Sequence, residues 1–164
     1  MNFVTTFAVV AALLGSALMG GVFFAFSNFV MKALGRLPVP DGIAAMQSIN
    51  FVVINPVFLS TFVGTAVISA LVAVLAVAGW GASSTPYMLL GSLLYLGGTF
   101  LVTGLGNVPL NHRLAAVSQT DPAAQALWHY YLDRWTMLNT LRTISALLAA
   151  LMFIVGLLQS GNAL

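Results

Sequence analysis

The sequence predicts an all-α integral membrane protein: four helices threaded up-down-up-down into a bundle, with two amphipathic connectors on one side. Three observations carry this. Hydrophobic residues make up 60% of the 164 residues and charged residues only 5%, where a soluble domain carries roughly 25% charge. So few charges cannot cover a surface facing water. Four apolar stretches, at about 3–30, 57–80, 87–106 and 138–158, reach the ~20 residues that a bilayer crossing needs. Each run is also too long and too little punctuated to be a strand. Together the four spans form a single transmembrane domain over residues 1–164.

The first span has no charged residue between Met1 and Met31. A cleaved signal peptide would begin with a basic stretch, so a retained helix fits better. Ala17, Gly21 and Ala25 lie four apart and let another helix approach closely in lipid. Leu37-Pro38-Val39-Pro40-Asp41-Gly42 then breaks the helix, and a short amphipathic piece follows over Ile43–Val53. Asn55-Pro56 ends it, with Pro56 suited to the first turn of the second span. Gly81-Ala82-Ser83-Ser84-Thr85-Pro86 is a tight link, so the second and third spans are antiparallel neighbours. In the second connector Asp121 reads as an N-cap and Pro122 as the first helical residue. A helix starting there runs unbroken into the fourth span.

All five basic residues, Lys32, Arg36, Arg113, Arg134 and Arg142, fall on the connector side. Counting them places the connectors in the cytoplasm and both termini outside. The lipid bilayer is the expected partner. A net charge of +2 on scattered side chains does not suit nucleic acid. The absence of cysteine removes disulfides and thiolate sites. No span carries an acidic residue, which argues against proton-coupled transport. Asp41, Asp121 and Asp133 lie in the connectors, so paired-carboxylate hydrolysis is disfavoured. Phosphate-cradling glycine loops are missing, and the histidine spacing suits no metal.

Up-and-down threading gathers the polar residues at the connector end: Asn28, Lys32, Gln47, Asn50, Asn55, Thr103, Asn107, Asn111, His112, His129, Asn139 and Arg142. That asymmetry predicts a polar-lined cavity there, unless these groups are merely solvated loop residues and helix caps. The fourth span has the sharpest pattern. Trp128, Tyr131, Trp135, Asn139 and Arg142 fall within about 80° of one another on a helix. A cation at such depth usually faces the bundle interior, which reads as an anion-stabilising group beside flat aromatic walls. The alternative is an interfacial aromatic belt with an arginine snorkelling to headgroups. His129 and His112 are the natural general bases near neutral pH, although His129 sits off the aromatic stripe.

Several segments, in order, resemble the anthrone oxygenase (DUF1772) family. They are Phe24-Ala25-Phe26-Ser27-Asn28-Phe29-Val30-Met31, Met46-Gln47-Ser48-Ile49-Asn50, Asn55-Pro56-Val57-Phe58 and Gly64-Thr65. Further on come Gly98-Thr99-Phe100-Leu101-Val102-Thr103, Asn107-Val108-Pro109-Leu110-Asn111, and Trp128-His129-Tyr130-Tyr131-Leu132-Asp133-Arg134-Trp135 with Asn139 and Arg142. The resemblance implies the four-span architecture. It also implies an oxidation of anthrones to anthraquinones by O₂ without a cofactor, on a lipophilic aromatic small molecule. The chain looks like the bacterial members, which implies the bacterial inner membrane. That chemistry needs a base, anion-stabilising donors and flat walls. Arg142, Asn139 and His129 are the expected catalytic residues. Asn28, Asn50, Asn55, Asn107, Asn111, Tyr131 and Trp135 are expected to bind substrate. A non-catalytic membrane module, binding a lipid, a quinone-like ligand or a partner helix, remains the alternative.

Overall fold

The computed structural model describes residues 1–118, 121 and 123–161. Among the described residues there are five helices and no strand. They are α1 (Phe3–Leu34), α2 (Val39–Val52), α3 (Pro56–Ala78), α4 (Thr85–Ala115) and α5 (Ala124–Gly161).

Local chemistry explains where they begin. The Asn2 side chain caps α1 by accepting the Thr5 N–H at 2.9 Å, and Asn55 caps α3 by accepting the Phe58 N–H at 3.0 Å. Pro56 opens α3, where a missing N–H costs nothing. α2 starts four residues before the amphipathic piece expected over Ile43–Val53. Its Pro40 lies in the first turn, whose N–H groups have no partner within the helix in any case. The Asp121 carboxylate accepts the Ala123 N–H at 2.8 Å just ahead of α5. Pro122, expected as the first residue of that helix, lies outside the described residues.

Four of these helices are long and apolar enough to cross a membrane. With 38 residues, α5 is about 57 Å long and outruns a hydrocarbon core of about 30 Å. Its first turns therefore stand beyond the bilayer on the connector side. The four long helices form a ring: α1 packs against α3 and α5, and α4 packs against the same two. Neighbours run antiparallel. Gly20 of α1 meets Leu147 of α5, while farther along α1 the Phe23 carbonyl meets Asn139. Likewise Gly91 and Gly106 of α4 meet Phe153 and Leu138 of α5.

The bundle is as apolar outside as inside. Phe3 is 83% exposed and Leu105 79%, a surface that only lipid can cover. Much of the interior is small: Ala8, Ala12, Ser16, Ala66, Ser69, Ala146 and Ala149 are all buried. In lipid the hydrophobic effect does not drive helices together, so close backbone approach at small residues does. The protein is therefore an integral membrane bundle.

A second apolar core closes the connector end, where Ile43 and Met46 of α2 pack with Met31, Leu114, Trp128 and Tyr131. A Cβ at Gly42 would come 2.9 Å from the Trp128 ring and 3.0 Å from the Leu34 carbonyl. Only glycine lets α2 lie this close. Gln47 Nε2 donates to the carbonyls of Leu114 and Val117 at 2.9 and 3.2 Å, which ties α2 to the end of α4. Three wide, π-helical turns interrupt the spans: Phe26–Val30 in α1, and Leu94–Leu101 and Thr103–Asn107 in α4. Such turns are frequent at functional sites, and each of the three contributes a residue to the cluster described next.

Candidate functional site

Thr99, Thr103, Asn107 and Asn111 recur every fourth residue along α4. A regular helix would rotate each step about 40° out of line. The wide turns hold fewer degrees per residue and keep all four facing α5. Thr99 Oγ1 donates to the Arg142 carbonyl at 3.3 Å, and Arg142 Nη1 donates to Thr103 Oγ1 at 3.1 Å. Asn107 Nδ2 donates to the Trp135 carbonyl at 3.1 Å. Asn111 Oδ1 accepts both the Tyr131 hydroxyl and Trp135 Nε1–H, each at 2.8 Å. Asn50 of α2 donates to the same Tyr131 oxygen at 3.4 Å.

Arg142 is the centre of this seam. It is 5% exposed, so the guanidinium turns into the bundle and does not snorkel to the headgroups. Its Nη2 donates to Asn139 Oδ1 at 2.6 Å. Its guanidinium carbon lies 4.2 Å from the Phe23 ring centroid and 5.3 Å from that of Trp135. Asn139 is held in turn by α1, because its Nδ2 donates to the Phe23 carbonyl and to Ser27 Oγ, both at 2.7 Å. Those two bonds fix the amide so that its oxygen faces the cation. Among the described residues no carboxylate pairs with Arg142. The charge is held by amide and hydroxyl oxygens and by ring faces. Two buried atoms of the seam have no hydrogen-bond partner: Arg142 Nε and Asn107 Oδ1. One is a charged donor and the other an acceptor.

The aromatic stripe stacks on itself. The Trp128 and Tyr131 rings lie 5.8 Å apart, Tyr131 and Trp135 6.1 Å, and Phe26 closes on Trp135 at 5.7 Å. All three stripe aromatics are buried.

The structure thus brings together Arg142, Asn139, Asn107, Asn111, Asn50, Tyr131 and Trp135. It leaves three candidates apart. Asn28 is exposed and makes none of these bonds. Asn55 serves as the cap of α3. His129 is exposed on the outer face of α5, as His112 is on α4, because one residue's step from the stripe turns a side chain by about 100°. Sequence reasoning missed Phe23, Ser27 and Thr99 as members of the cluster. The four-residue spacing of Thr99, Thr103, Asn107 and Asn111 was a readable signal for Thr99. Phe23 carries no signal in the sequence. The polar side chains also turn toward one another instead of lining an open cavity. An open groove of about 470 Å³ runs on the outer side of α4 and α5, and Arg142 is not in its walls. Among the described residues no three His, Asp or Glu side chains gather as metal ligands.

A family model described as Anthrone oxygenase matches residues 57–152. The matched segment holds Thr103, Asn107, Asn111, Asn139 and Arg142, and leaves out α1 and α2. No curated protein and no solved structure matches the chain.

Proposed function

The chain belongs to the anthrone oxygenase family, and from that membership we propose that it oxidises a lipophilic polycyclic phenol of the anthrone type with O₂ at the Arg142 cluster. The observation that carries this reading is a buried guanidinium with no carboxylate beside it and its Nε–H unpaired.

The chemistry needs such a group. The methylene carbon of an anthrone loses a proton and leaves an enolate, whose negative charge sits largely on oxygen. A preorganised cation shielded from bulk water stabilises that oxygen far more than water does. The electron-rich carbon then transfers an electron to O₂, a C–O bond forms, and loss of water leaves the second carbonyl. One anthrone and one O₂ give one anthraquinone and one water. Arg142 is the oxyanion donor, and Asn139 and Thr103 position it. Asn107 Oδ1 accepts a phenolic hydroxyl. Since His129 stands outside the cluster, water takes the proton. The substrate enters from the bilayer, where a lipophilic polycycle concentrates. The connectors face the cytoplasm of a bacterial inner membrane, in keeping with the side that carries the basic residues.

The test is direct. Purified protein in detergent should convert an anthrone to its anthraquinone faster than the spontaneous rate, with matching O₂ uptake. Arg142→Ala should remove the gain. No gain across several anthrones would overturn the reading.

One observation favours a non-catalytic module instead. The amides of Asn139 and Asn107 are spent on carbonyls of neighbouring helices, as in helix-to-helix glue. That module would bind a lipid, a quinone-like molecule or a partner helix. A small molecule that co-purifies with the protein and stays unchanged under O₂ would select it.

A further inference from the structure

The outer groove between α4 and α5 has no part in the chemistry above, and its two ends differ. Toward the middle of the bundle its wall includes Gly97, where an added Cβ would meet nothing within 4 Å. Leu101 and Leu105 continue it, both exposed. At the connector end it is lined by Arg113, Tyr130 and Arg134. From Gly97 to Arg113 the helix climbs about 24 Å at 1.5 Å per residue. That exceeds half of a hydrocarbon core about 30 Å thick, so the groove runs from within the bilayer to its surface.

Among the described residues the arginines at its mouth have no anionic partner. The Arg113 guanidinium carbon stands 5.4 Å over the Tyr130 ring. Arg134 Nη1 reaches only the Met137 sulfur, at 3.6 Å. Among the described residues no carboxylate pairs with either, although Asp133 is the neighbour of Arg134 in sequence. An apolar channel open to lipid, ending in two unneutralised guanidinium groups at the surface of the membrane, matches one molecule in both halves. We infer that this groove binds an anionic phospholipid. Its acyl chain lies along Gly97, Leu101 and Leu105, and its phosphate sits between Arg113 and Arg134. Planar guanidinium groups suit phosphate oxygens, and basic pockets between spanning helices are a recurrent headgroup site. The site stands independently of the oxygenase reading.

Native mass spectrometry of the full chain, in detergent carrying equal phosphatidylglycerol and phosphatidylcholine of identical chains, tests it. The unaltered protein should retain the phosphatidylglycerol in clear excess. Equal retention of the two lipids would overturn the proposal without any variant. The double change Arg113→Gln and Arg134→Gln should reduce the preference on the order of tenfold or more. Arg113→Lys with Arg134→Lys should keep most of it. Gly97→Leu, whose Cβ would meet nothing within 4 Å, should lower retention of both lipids and leave their ratio unchanged. Full retention in Gly97→Leu, or a preference that survives loss of both charges, would overturn it. So would displacement of the lipid by inorganic phosphate, which would make the site one for the headgroup alone.

Discussion

Replacing Arg142 with methionine separates the functional reading from a structural one. On the functional reading the guanidinium is nearly neutral for the fold, and on the structural reading it holds the bundle together. An arginine inside a spanning helix costs about 2.5–3.5 kcal/mol on insertion scales, and Arg142→Met removes that cost. Against it stand the bonds to Asn139 Oδ1 and Thr103 Oγ1, worth about 0.6–1.7 kcal/mol each between helices in membranes. The ring contacts with Phe23 and Trp135 add about 0.5–1 kcal/mol apiece, part of which a methionine sulfur between the same rings restores. At mid-range the opposing terms agree to within about 1 kcal/mol. Thermal unfolding followed by circular dichroism should therefore show Tm moved by no more than about 4 °C in either direction. The anthrone oxidation rate should fall by about 10²- to 10³-fold, the loss typical of removing one oxyanion donor. A Tm lowered by roughly 10 °C or more would make the guanidinium a net strut of the bundle and refute the accounting. A variant of unchanged rate would refute the role assigned to Arg142.

Three further outcomes follow from the packing. Asn111→Ala strands the buried Trp135 Nε1–H and weakens the hold on the Tyr131 hydroxyl. It should cost about 2 kcal/mol or more, against about 1 kcal/mol for loss of the cap in Asn55→Ala; melting of the two variants side by side checks the order. Gly98→Ala drives a methyl group into the Ser145 side chain and should destabilise by about 1–3 kcal/mol. Gly104→Ala meets nothing within 4 Å and should be neutral or stabilise slightly, which the same melts resolve. His129→Ala should leave the anthrone oxidation rate unchanged and shift stability by no more than about 0.5 kcal/mol, because the imidazole is exposed and outside the cluster. A rate loss as deep as that expected for Arg142→Met would return it to the reaction.

What the sequence determined by itself was set by distances along the chain. Long uncharged runs separated by proline and glycine specify spanning helices and a tight hairpin between α3 and α4. Asn55-Pro56 specifies a helix start. The wheel angles of Trp128, Tyr131, Trp135, Asn139 and Arg142 place them on one face of α5. All of these rest on local sterics and on the 3.6-residue repeat, which read out of sequence directly. Tertiary structure alone decided what that face meets. Asn139 binds the carbonyl of Phe23, 116 residues away, and no periodicity names a backbone oxygen on another helix. The wide turns in α4 line up Thr99, Thr103, Asn107 and Asn111, where a regular helix would splay them around its axis. Ring closure then turned Asn28 outward and took the open groove away from Arg142. A helical repeat fixes a side chain's angle about its own axis. Its partners depend on how far each helix is rotated and shifted against its neighbours, and that is decided by close packing of small residues across the whole bundle.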